Sequence, residues 1–160
     1  MKTLALAVVI ATCCFAQAEE KPAPERKYYK VEFVLKELDG SKVVSSRSYV
    51  TTLKESGRAS VRTGDKIQVP TGKVEGGFTY LDVGVDIDAF LLRDDQTKLI
   101  MHITASISGF ASPESPRIIS ATKWDSDAIV PLRRATTVFT SDGAAGKRQM
   151  QLEVTATPVQ

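Results

Sequence analysis

A chain of 160 residues, 42% hydrophobic and 25% charged, is ordinary for one compact domain and short for two. Its formal charge is +2, from 21 basic and 19 acidic side chains. That balance argues against strong electrostatic binding to nucleic acid or to an anionic membrane surface.

The opening stretch MKTLALAVVIATCCFAQAEE has the layout of a secretory signal. Lys2 supplies a basic start, Leu4 to Phe15 an apolar run, and Ala16-Gln17-Ala18 a small-x-small cleavage site. Residues 1–18 are therefore expected to be removed after Ala18, delivering the protein to the periplasm or the cell exterior. No later segment approaches the roughly 20 apolar residues a membrane-spanning helix needs, so no transmembrane span is expected. Both cysteines, Cys13 and Cys14, fall inside this leader. Lipid anchoring on one of them is the alternative, but Thr12 is a poor residue before a modified cysteine. Cleavage after Ala18 also removes Lys2, leaving 20 basic and 19 acidic side chains and no cysteine. An exported domain without disulfides must be held by its core. There is no asparagine, hence no N-glycosylation acceptor.

Residues 19–27, polar with Pro22 and Pro24, read as a flexible linker, and residues 28–159 as one domain. Period-two alternation begins at once. Tyr29, Val31, Phe33 and Leu35 alternate with Lys30, Glu32 and Lys36, and Asp39-Gly40 then offers a two-residue hairpin turn. Pairing across that dipeptide would set Glu37 opposite Lys42, Leu35 opposite Val44 and Glu32 opposite Arg47.

Residues 54–77 hold five glycines and one proline, and read as a solvated loop. Basic side chains predominate there, and Arg58, Arg62 and Lys66 are the candidates for contact with an anion or polysaccharide.

From Phe78 to Leu92 every odd position from Leu81 to Leu91 is apolar, while Asp82, Gly84, Asp86 and Asp88 share the opposite face. The next strand repeats the pattern, with Leu99, Met101, Ile103, Ala105 and Ile107 on one side. A three-residue loop at Asp94-Asp95-Gln96 fits this parity and would place Asp88 opposite His102. The aspartates then line a solvated sheet face. Calcium is the alternative, restricted to Asp86 and Asp88 because strand positions i and i+4 lie roughly 13 Å apart.

Pro113 and Pro116 mark a loop into a strand near Ile118. Three further short strands are expected, with turns at Asp125-Ser126-Asp127 and Asp142-Gly143. The last strand turns Met150, Leu152, Val154 and Ala156 inward. No helical period appears after the leader. The expected fold is all-β, an antiparallel sandwich or open barrel of about seven or eight strands.

Catalysis is limited by inventory. Without cysteine after the leader, and with His102 as the only histidine, cysteine catalysis and most zinc or copper sites are excluded. A serine triad would need His102, and no serine sits in a Gly-x-Ser-x-Gly elbow. His102 reads as a surface histidine able to pair with Asp88. Trp124, the only tryptophan, is either a partly buried strand residue or a platform for a sugar ring. No cofactor and no metal are expected, and the chain reads as a non-enzyme.

The stretch YLDVGVDIDAFLLRDDQTKLIMHITASISGF resembles the C-terminal module of bacterial secretins, in which a Tyr-x-Asp-Val-Gly strand precedes a hairpin and a serine-rich strand. TGDKIQVP before it and SPRIISATKWDSDAIVP after it are similar to the flanking strands, so the likeness spans roughly residues 60–138. Where that module ends in a glycine-rich strand, this chain carries Arg133-Arg134. The 142 residues after the leader do not accommodate the ring-building domains that precede the module. The resemblance thus implies a related β-architecture and a protein partner in the cell envelope, in a secretion or similar assembly, without a pore-forming role. The alternative function is a secreted carbohydrate or small-ligand module using Trp124 and the basic stretch.

Overall fold

The structure, a computed structural model, describes residues 27–70, 77–112, 115–142 and 148–159. The expected leader, the linker up to residue 26 and Gly143 of the Asp142-Gly143 turn lie outside these. Eight strands follow in order: β1 (Tyr28–Asp39), β2 (Lys42–Lys54), β3 (Arg58–Pro70), β4 (Phe78–Asp94), β5 (Lys98–Ser112), β6 (Ser115–Pro131), β7 (Thr136–Asp142) and β8 (Gln149–Val159). They form two four-stranded antiparallel sheets, sheet A in the order β2-β1-β8-β7 and sheet B in the order β3-β4-β5-β6. The architecture is the expected all-β sandwich, not closed into a barrel.

Alternation builds the core as the sequence predicts. Tyr29, Val31, Phe33 and Leu35 of β1 and Leu152, Val154 and Ala156 of β8 face Val85, Ile87, Ala89 and Leu91 of β4 and Leu99, Met101, Ile103 and Ala105 of β5, all buried. Branched and aromatic side chains on a pleated face fill the space between the two sheets.

Three expectations are overturned. Gly40-Ser41, rather than Asp39-Gly40, forms the first turn, so Asp39 faces Lys42. A β-bulge after Glu37 then sets Leu35 opposite Arg47 and Glu32 opposite Val50. A turn with positive φ at its first central position suits glycine, and Gly40 has φ 60°. Second, most of the supposed loop at 54–77 is strand β3, with Ala59 buried and Val61 partly buried on the core side. Its glycine pair explains the misreading. Gly64 lies opposite Gly84, and a Cβ on Gly84 would collide with the Thr63 carbonyl oxygen, so close backbone approach rather than a turn requires glycine here. Third, β6 runs unbroken through Asp125-Ser126-Asp127 for 17 residues.

Candidate functional site: the solvent face of sheet B

Sheet B turns three rows of side chains to solvent, all polar but Phe90. Across β3, β4, β5 and β6 they read Arg58, Phe90, His102, Asp127; then Ser60, Asp88, Thr104, Asp125; then Arg62, Asp86, Ser106, Lys123. The expected opposition of Asp88 and His102 does not occur. Asp88 faces Thr104 and His102 faces Phe90, because the innermost pair is Asp94 with Leu99, three positions from the expected register, and the bulge at Leu92, one extra residue on β4, takes one position back. Together these move the register by two, which preserves the face while changing the partner.

The basic side chains of β3 are held by the aspartates of β4. Arg58 Nη2 lies 2.5 Å from Asp88 Oδ2, Arg62 Nη2 3.2 Å from the same oxygen, and Arg62 Nε 3.3 Å from Asp86 Oδ1. The Ser60 hydroxyl also donates to Asp88. The hydrogen bond from Arg58 leads the effects that hold the Asp88 carboxyl below its ordinary range, outweighing its partial burial. Lys66 approaches Asp82 at 4.0 Å. Among the described residues no group of three or more His, Cys, Asp or Glu side chains is placed to hold a metal ion. Asp86 and Asp88 instead meet guanidinium groups.

On the far side of the sheet, His102 sits between two carboxylates of β6. Its Nδ1 is 2.8 Å from Asp127 Oδ1 and its Nε2 3.2 Å from Asp125 Oδ1, while the Thr104 hydroxyl donates to Asp125 Oδ2 at 2.9 Å. The hydrogen bond with Asp127, aided by Asp125, pushes the imidazole pKa up against the opposing effect of burial. The acidic pair was visible in the sequence, but its Asp-Ser-Asp pattern reads equally as a turn.

Trp124 points the other way. It lies opposite Ala105 on the core side of β6 and stacks on Phe139 of β7, with ring centroids 3.9 Å apart and planes 2° from parallel. One ring face is therefore occupied by a contact bridging the two sheets, and Trp124 shares no surface with Arg58, Arg62 or Lys66.

The bulge at Leu92 has a second effect that no sequence period announces. It turns Asp94 inward, opposite buried Leu99, where it meets sheet A. Asp94 Oδ2 accepts from the Tyr29 hydroxyl at 2.6 Å and from Lys27 Nζ at 2.8 Å, and Oδ1 accepts from the Gln96 N–H at 2.9 Å. Burial disfavours its charge, but these three donors outweigh burial and hold the carboxyl below its ordinary range. Burial and the bond to Asp94 raise the Tyr29 phenol pKa.

Pairing of β4 with β5 ends at Val85 and Ile107. Beyond that point the strands separate around a cleft of about 450 Å³, lined by residues including Arg62, Asp82, Gly84, Asp86 and Ser108. The Gly84 N–H donates to Ser108 Oγ at 3.0 Å, so a side chain takes the place of the missing strand partner. The β3–β4 arm past this point exposes Phe78, Tyr80 and Leu81. Among the described residues, no strand pairs with the outer edge of β3 or of β6.

The sequence matches no protein-family model and no curated protein. The fold is similar to solved secretin structures. A chain of the ETEC pilotin–secretin complex AspS–GspD matches with a TM-score of 0.57 and 10% identity over 85% of this chain and 50% of that one. The type II secretin GspD of enteropathogenic Escherichia coli gives 0.53 and 9% over 85% and 70%. The Salmonella SPI-1 type III secretion injectisome secretin InvG gives 0.52 and 10% over 84% and 62%. This chain thus spans half the length of the first of these. The secretin resemblance read in residues 60–138 is borne out as a likeness of fold, over a larger part of the chain.

Proposed function

We propose that this chain is an exported, non-enzymatic β-domain of the cell envelope that works through protein contacts at the edges of sheet B, in an assembly of secretin type. One observation carries the reading: the two open edges of sheet B present exposed charge clusters of opposite sign. The β3 edge presents Arg58, Arg62 and Lys66, whose side chains stay 59%, 61% and 75% exposed despite the aspartates behind them. The β6 edge presents Asp125 and Asp127, 61% and 64% exposed, with Lys123 one row further along the strand. β3 and β6 run in opposite directions, so β6 of one copy laid beside β3 of the next continues the antiparallel order. Charged edges with one sign repel their own kind, whereas edges of opposite sign select a head-to-tail neighbour. The secretin fold likeness supports a role in such an assembly.

The test is sedimentation velocity on residues 19–160 at low ionic strength and pH 8. Wild type should associate with rising concentration. Asp125→Lys/Asp127→Lys should remain monomeric alone, yet shorten wild-type assemblies when mixed in, because its β3 edge still docks. A monomeric wild type, or a variant that associates normally, would refute the contact.

A further inference from the structure

We infer that His102 makes this edge contact pH-dependent, with Asp125 and Asp127 of one copy free to meet Arg58 and Arg62 of the next only when the imidazole is neutral. The inference rests on the edge-to-edge reading above. Its basis is position. His102 lies on β5, one strand in from the β6 edge, and its two ring nitrogens reach the two carboxylates that edge offers, at 2.8 and 3.2 Å.

A neutral imidazole has one N–H and can donate to only one of them, which leaves a charge of −2 on the Asp125–Asp127 pair. An imidazolium donates to both, draws them toward β5, and reduces the local sum to −1. The other groups around the ring do not compensate. Phe90 lies opposite on β4, and Asp88 one row away is taken by Arg58 and Arg62. Thr104 on the same strand holds Asp125, and Lys123 on β6 is two rows off beside Ser106. The raised imidazole pKa agrees with the geometry, since both carboxylates favour the proton. By linkage, docking cations against Asp125 and Asp127 must expel that proton, and lowering the pH must weaken docking.

Between pH 5.5 and 8 no other side chain of residues 19–160 is of a type that ordinarily titrates, because His102 is the only histidine and both cysteines lie in the leader. Association of residues 19–160 should therefore be measured across that range for wild type and His102→Gln. Wild-type affinity should rise about two- to fivefold with pH, the span typical of one exposed charge pair. The variant should show no slope and match wild type at pH 8. Equal slopes in the two proteins would overturn the role of His102 while leaving the edge contact standing. Absence of association in both at every pH would overturn the edge contact and this inference together.

Discussion

Replacing Asp94 by alanine tests how the two sheets are held together at the β4–β5 end. The Asp94 side chain is only 7% exposed, and it accepts from the hydroxyl of Tyr29, a residue 3% exposed. Removing the carboxylate leaves that phenol without a partner, which costs about 1–3 kcal/mol for an orphaned buried donor. For a domain of this size each kcal/mol lowers Tm by about 3–5 °C, so a loss near 2 kcal/mol should appear as roughly 8 °C in thermal unfolding followed by circular dichroism. Tyr29→Phe removes the donor instead and leaves Asp94 with Lys27 and Gln96, so its cost should be smaller, about 1 kcal/mol. The pH dependence has a definite sign. The folded carboxyl lies below its ordinary value of 3.8, so its contribution is full above that value and drains away as the pH falls through the folded pKa. Asp94→Ala should therefore narrow its gap to wild type in strong acid. A Tm within 1 °C of wild type at pH 7, or a gap that does not narrow in acid, would refute the staple.

Gly84→Ala should destabilise by about 1–3 kcal/mol in urea unfolding, because its Cβ meets the Thr63 carbonyl on the paired strand. Gly109→Ala, where a Cβ meets nothing within 4 Å, is the matched control and should stay within about 0.5 kcal/mol. Phe139→Ala should cost about 2 kcal/mol and shift the emission of Trp124 to longer wavelength as water reaches the uncovered ring. An unchanged spectrum would mean that Phe139 does not shield it.

Where a strand is buried on one face, its period was legible. β1, β4, β5 and β8 show alternation in the sequence because each lies inside its sheet and needs an apolar face. The edges were harder. β3 runs past the sandwich, where Thr63 to Lys66 are exposed and no alternation is demanded, so its glycines resembled a loop. β6 was read as broken because an exposed edge tolerates Asp125 and Asp127 on its outer side, while the inward Trp124, Ala128 and Val130 that mark it as a strand are spaced around them. Bulges left no trace at all in the pattern. One extra residue at Leu92 turned Asp94 inward and, together with the shifted loop, set the partner of His102, and register of this kind depends on backbone geometry rather than side-chain period. The residues singled out in advance, Arg58, Arg62, Lys66, Asp86, Asp88 and His102, do share one face, and only Trp124 belongs to the other.

The most direct measurement is hydrogen exchange on residues 19–160 at two concentrations, one dilute enough for monomer and one in the associated range. Edge pairing predicts new protection in the amides of β3 between residues 58 and 69 and of β6 between 117 and 130, with β2 and β7 unchanged. Protection confined to β2 or β7, or spread evenly over both sheets, would contradict the assignment of contact to the charged edges of sheet B.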